Sequence, residues 1–149
     1  MTLLPSLGRL LAPVLLSSSL LVSLAPPGLT QGRLYNPIPL PDNKEVTDTL
    51  TDEDIPTGQG GFARDYTVEL QAGDQVVIDL TSDSFDTVVM LMGEAGMSLG
   101  ENDDGSDGST NSMLFTRIDT SGTYTVRVRS FGEGSGGQFT LKVTRLRPV

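Results

Sequence analysis

The sequence of 149 residues has room for one compact core, and its 19 acidic against 10 basic side chains give a net charge of -9. No stretch gathers enough Lys or Arg to follow a phosphate backbone, so nucleic acid and anionic membrane surfaces are poor partners. Histidine and cysteine are both absent, which removes disulfides, thiolate nucleophiles, Cys/His zinc centres and the commonest general base.

Residues 1–32 read as a secretory signal, with Arg9 as the positive start and an apolar run from Leu10 to Ala25. That run is interrupted by serines and is shorter than the roughly 20 apolar residues a membrane span needs. The chain is therefore expected outside the cytoplasm, secreted or periplasmic, with no membrane span after signal cleavage. Residues 33–43, RLYNPIPLPDN, alternate prolines with apolar residues, which disfavours helix and predicts an extended linker. The folded domain is expected over residues 44–149.

Lys44 to Leu50 predicts a short edge strand, followed by an acidic, turn-rich connection. From Asp65 the pattern has period two: Tyr66, Val68 and Leu70 face one way, and Asp65, Thr67 and Glu69 the other. Val76, Ile78 and Leu80 repeat it after the turn Ala72-Gly73-Asp74, which predicts an antiparallel hairpin. Phe85 to Met92 is apolar on both faces and predicts a central strand. Glu94-Ala95-Gly96 turns the chain, and Met97 to Gly100 leads into an acidic loop. Ser112 to Ile118 resumes a strand. Tyr124, Val126 and Val128, then Phe139, Leu141 and Val143, alternate with polar neighbours across the loop FGEGSGG and predict a second hairpin. About eight short strands without a helical period predict an all-β fold, an antiparallel β-sandwich or jelly roll.

The loop GENDDGSDGS places Glu101, Asp103, Asp104 and Asp107 close together, with Asp83 and Asp86 near if the strands pair as read. Calcium takes six to eight oxygens in flexible geometry, and glycine-interrupted acidic loops supply them. The loop is not an EF-hand, because counting from Asp103 puts Gly105 third and Leu114 twelfth, where a glutamate is required. The other reading is that Asn102, Asp103 and Asp104 shape the turn through side-chain to backbone bonds. Asp86 reads as a carboxylate that accepts backbone N–H bonds where its strand begins. Arg127, Arg129 and Lys142 form either an outward basic stripe or cross-strand ion pairs, and Tyr124 is expected in the core.

Five signals in order, AGDQVVIDL, SFDTVVML, ENDD, SGTYTVRV and GGQFTLKV, resemble the bacterial pre-peptidase C-terminal domain over Lys44 to Arg145. That family is a β-sandwich module attached to secreted peptidases. The resemblance makes Asp86, Asn102, Asp103, Asp104, Gly122 and Tyr124 the signature positions, and some relatives bind calcium. The resemblance carries over the possibility of calcium and no ligand list; with the acidic loop read above, the candidate metal set is Asp86, Asn102, Asp103, Asp104 and Asp107.

No nucleophile stands beside a base, so catalysis is not expected. The function expected is a non-catalytic exported binding or secretion-assisting module, monomeric and stabilised by calcium. Its ligand would be a protein or polysaccharide outside the cytoplasm, a secreted peptidase included. The alternative is a structural component of the cell envelope, tethered by the proline-rich linker.

Overall fold

The computed structural model describes residues 35–105, 108–134 and 136–146; the expected signal sequence lies outside them. The described residues form ten strands: β1 (Ile38–Pro39), β2 (Glu45–Leu50), β3 (Ile55–Pro56), β4 (Phe62–Leu70), β5 (Gln75–Thr81), β6 (Thr87–Met92), β7 (Ser98–Asn102), β8 (Ser112–Arg117), β9 (Gly122–Ser130) and β10 (Gly137–Leu146). One sheet runs β1-β4-β9-β6-β7, with β3 also on β4, and the other runs β2-β10-β5-β8. All pairs are antiparallel except β1 on β4. Among the described residues no helix is long and apolar enough to cross a membrane.

The period-two residues meet between the sheets. Tyr66, Val68 and Leu70 from β4, Val126 and Val128 from β9, and Val89 and Leu91 from β6 face Val76, Ile78 and Leu80 from β5 and Phe139, Leu141 and Val143 from β10. Each such side chain contributes about 1.5–3 kcal/mol by leaving water, so this layer drives folding. Phe139 lies at its centre, edge-on to Tyr66 at 6.3 Å and to Phe85 at 6.4 Å. As expected, β6 is a central strand, between β9 and β7.

Both expected hairpins are corrected. β4 and β5 belong to opposite sheets, as do β9 and β10, so the short connections are corners between layers. At the first corner Gly73 N–H donates to Ile118 O at 2.7 Å and Ala72 N–H to Ser121 Oγ at 2.9 Å, tying the turn to the far side of the fold. At the second, Gly136 has φ +84° and sits so close to Leu50 that a Cβ would lie 2.4 Å from its carbonyl oxygen. Alternation tells which residues share a face and is silent on which strand lies alongside.

The strand count is also ten rather than eight, because β1 and β3 are two-residue pieces that alternation cannot reveal. β1 lies within the segment expected to be a free linker. From Tyr35 onward that segment is extended but attached: Ile38 pairs with Tyr66 in register, and Leu40 N–H donates to Thr67 O at 2.9 Å.

Polar side chains also occupy the interior. Asp48 on β2 is in register with Phe139 and so points inward, toward Arg64 on β4. Arg64 Nη1 reaches Asp48 Oδ2 at 2.7 Å, while its Nε and Nη2 hold both Asp54 oxygens at 2.8 and 2.9 Å. Tyr66 donates its hydroxyl to Asp48 Oδ2 at 2.8 Å. Burial and the bond to Asp48 push the Tyr66 phenol well above its ordinary range. Burial alone would raise the Asp48 carboxyl, but the bonds from Arg64, Tyr66 and the Thr49 N–H outweigh it and hold it below 3.8.

A carboxyl depressed in the folded state contributes stability that is complete above its unfolded value and is lost as pH falls through the folded one. Stability should therefore decline on acidification below pH 3.8, and Asp48→Asn should flatten that part of the profile. Arg64→Ala should cost on the order of 2 kcal/mol at neutral pH, less than a fully buried pair because Asp48 stays partly wet. Urea unfolding across pH 2–7 measures both.

Candidate functional site

The acidic loop leaves the edge strand β7 and enters the edge strand β8, and Asn102 sets its shape. Asn102 Nδ2 donates to Asp104 O at 2.8 Å and to Met113 O at 2.7 Å, and its Oδ1 accepts the Asp104 N–H at 3.3 Å. Met113 N–H in turn donates to Asp104 O at 3.1 Å. The carboxylates of Asp103 and Asp104 project into solvent. Asp107 lies outside the described residues, and among those described no three His, Cys, Asp or Glu side chains converge as metal ligands.

Asp86 is corrected in detail. Its carboxylate is exposed and makes no hydrogen bond to the described residues; its backbone carbonyl accepts the Phe131 N–H at 2.8 Å. The side chain that anchors this corner is its neighbour Thr87, fully buried. Thr87 Oγ1 lies 3.0 Å from Thr110 O and 2.9 Å from Ser112 Oγ, while its N–H donates to Thr110 O at 2.9 Å. These bonds fix the far end of the acidic loop against β6. A threonine in phase with buried valines was the available signal, and an ordinary one.

The basic residues form pairs, not a stripe. Arg127 binds Asp65 with two bonds of 2.8 Å, Arg129 reaches Glu101 at 2.5 Å, and Lys142 lies on the other sheet, 3.4 Å from Glu45. Asp65 is buried beneath this pair, and Tyr35 adds a third bond of 2.6 Å to it from the segment expected to be a linker. The Asp65 carboxylate holds the Arg127 guanidinium above its ordinary value; desolvation, then the bond to Asp65, raises the Tyr35 phenol. The groups with perturbed protonation are thus bound to one another and serve packing.

A concave site lies at one end of the sandwich. Gly93, Glu94 and Met97 from the β6–β7 connection and Leu99 at the start of β7 face residues 120–124 across a cleft of about 450 Å³. The connection is a short 3-10 turn, Glu94–Gly96, closed by Gly93 N–H to Met97 O at 2.9 Å. A register shift at Leu91/Met92 accompanies it, and Met97 and Leu99 remain 69% and 47% exposed. Tyr124 is buried, as expected, and its hydroxyl donates to Thr120 O at 2.5 Å, pulling the opposite turn onto the fold. Sequence reading passed over this cleft, since its walls come from two turns about 25 residues apart. Its lining joins the apolar Met97 and Leu99 to the Glu94 carboxylate and the hydroxyl-bearing Thr120, Ser121, Thr123 and Tyr124, so the cleft offers shape, apolar contact and hydrogen bonding.

The loop geometry separates Asn102 from its acidic neighbours in energy. Asn102→Ala would leave the Met113 carbonyl without its side-chain donor and the Asp104 N–H without its acceptor and should cost about 1–3 kcal/mol, whereas Asp103→Ala and Asp104→Ala should stay within about 0.5 kcal/mol. Chemical denaturation of the three variants is the measurement.

The family model of the bacterial pre-peptidase C-terminal domain matches residues 63–130. None of the curated proteins matches the sequence. Among solved structures, PliG of Aeromonas hydrophila, a periplasmic inhibitor of g-type lysozyme, is similar with a TM-score of 0.55 and 16% identity, over 73% of this chain and 95% of that one. PliG of Salmonella Typhimurium, also a periplasmic inhibitor of g-type lysozyme, gives 0.50 and 10% identity over 75% and 100%. The pre-peptidase C-terminal domain of a Bacillus anthracis collagenase gives 0.47 and 16% identity over 73% and 93%. At these identities the PliG likeness describes the fold. The matched segment covers all but one residue of β4 through the end of β9, and so contains the Thr87 anchor, the Asn102 loop and the Tyr124 turn. Over residues 63–130, the part of the domain built around these features, the chain matches the bacterial pre-peptidase C-terminal domain family.

Proposed function

We propose that the chain is a non-catalytic binding module that works outside the cytoplasm, secreted or periplasmic, and takes a protein as its ligand. The observation that carries this reading is the pair Met97 and Leu99, large apolar side chains held in solvent at the mouth of a cleft by a closed turn. The match of residues 63–130 to the bacterial pre-peptidase C-terminal domain supports it, because that family is named for its attachment to peptidases. So does the use of this fold by the two PliG proteins, which are inhibitors of another protein. A g-type lysozyme is the first partner to test and a secreted peptidase the second. The envelope-component alternative draws less support, because its tether is pinned to β4 from Tyr35 onward.

Replacing Met97 with a photo-crosslinking phenylalanine analogue in the full chain tests this reading. The expected result is a protein adduct at Met97 and none from the same analogue at Lys142, on the other sheet. Equal labelling at both positions, no adduct with either partner class, or turnover of a substrate by the purified chain would overturn it. Calcium at the acidic loop is part of the same proposal. Its check is thermal unfolding in millimolar calcium and in chelator. Ion at tenfold over its dissociation constant adds about 1.4 kcal/mol, and equal melting temperatures remove the ion from the proposal.

A further inference from the structure

The main-chain groups along a sheet edge need partners, and this fold supplies most of them internally. The outer side of β4 is covered by β1 and β3. On β2, the N–H groups of Glu45 and Thr49, together with that of Thr51 just beyond it, are taken by Asn43, Asp48 and Asp54 side chains at 3.3, 2.7 and 2.8 Å. β8 is different. Ile118 N–H donates to Asp74 O at 2.8 Å, which fixes the parity of the ladder. Ser112, Leu114 and Thr116 bond toward β5, and Met113, Phe115 and Arg117 direct their peptide groups away from it. Met113 is filled by Asp104 and Asn102. Phe115 and Arg117 face outward with no strand alongside.

We propose that the open edge of β8 over Phe115–Arg117 is a strand-addition site for an extended, basic segment of a partner protein, which continues toward the cleft at Met97 and Leu99. This names the mode and charge of the binding assigned above and rests on that reading. Three observations carry it. Apart from the Arg117 carbonyl, which accepts a long bond of 3.5 Å from Thr116 Oγ1, the outward main-chain groups have strand spacing and so select an extended backbone. The Phe115 side chain, 55% exposed, offers an apolar contact on the same strand, and the cleft begins three residues past its end, at Thr120. Finally, Glu94, Asp103, Asp104 and Asp119 are exposed and have no ion-pair partner among the described residues, against the single cation Arg117 on the strand itself.

That imbalance favours Lys and Arg in the incoming segment. It also disfavours a second copy of this chain, whose net charge is -9. Three residues of edge span about 10 Å, enough for a few main-chain bonds and too little for tight binding alone. The Asn102 plug over Met113 sets this length, so the edge recognises a short segment and does not template long pairing.

The test uses the full chain and two synthetic ten-residue peptides with the same alternating Val/Thr centre, one flanked by Lys and one by Glu. The Lys peptide should bind at least tenfold more tightly and should slow amide exchange at Phe115 and Arg117. Phe115→Pro removes an outward donor and no bond to β5, so it should weaken binding at least tenfold with an unchanged melting temperature. The double variant Glu94→Lys, Asp119→Lys, which leaves the strand intact, should abolish the preference for the Lys peptide. Equal affinity for the two peptides, protection confined to other strands, or a Phe115→Pro chain that folds and binds normally would overturn the assignment. A partner that crosslinks at Met97 yet binds the Phe115→Pro chain with full affinity would refute the edge and leave the binding-module reading standing. Absence of both peptide and protein binding would end both.

Discussion

Arg64 stands between the two sheets and is held by carboxylates from different parts of the chain, Asp48 on β2 and Asp54 before β3. Tyr66 completes the set from the strand that carries Arg64. A guanidinium at the margin of a hydrophobic layer is costly unless its donors are matched, and here three nitrogens have carboxylate partners. The apolar layer supplies the driving force, but it would tolerate many offsets of one sheet over the other. The charged set tolerates few, because sliding β2 against β4 would strand Asp48 or Arg64 without its partner. The position of β2 at the sheet edge, and of the turns that follow from it, depends on that match.

With the layers placed, the corners acquire their roles. The chain changes sheets at almost every short connection, so each corner must satisfy backbone groups that a hairpin would have paired internally. Thr87, Ser82 and Asn102 do this work. Ser82 Oγ donates to Gln138 O at 2.7 Å and accepts N–H groups from Ser84 and Phe85 at 3.0 and 3.3 Å. Asn102 closes the acidic loop onto Met113. The family-like motifs FDT and ENDD contribute residues to these corners. In FDT the threonine is the buried anchor while the aspartate faces water, and in ENDD the asparagine is the clamp while two carboxylates stay solvated.

The same arrangement concentrates binding potential at one side of the molecule. β7 and β8 are the edges of different sheets, and Gly100 packs so closely on Leu114 that an added Cβ would come within 3.1 Å of its Cδ1. The loop joining them occupies the edge of β8 at Met113 and leaves the next residues open. The turns at the far end of these strands hold Met97, Leu99 and Tyr124 around a cleft. The proposed recognition of a partner draws on these corners, the short open edge and the exposed apolar side chains, and the proposed choice of a basic segment draws on the acidic surroundings.

Alternation of apolar and polar residues was legible in the sequence, and it determined the all-β class, the inward set from Tyr66 to Val143, the central place of β6 and the buried Tyr124. Absence of histidine and cysteine likewise limited the available chemistry before any fold was known. Pairing was not legible, because a strand with one apolar face fits either layer equally well, so β4–β5 and β9–β10 read as hairpins although each spans both sheets. The sequence did carry a sign of the charged clamp, since Asp48 falls in phase with Val46 and Leu50, and Arg64 with Tyr66 and Val68. Only tertiary structure joined those positions, made the proline-rich segment part of the domain from Tyr35, and left Phe115 and Arg117 on an open edge. Side-chain periodicity is a property of one strand, whereas neighbours, edges and clefts arise between strands distant in the chain.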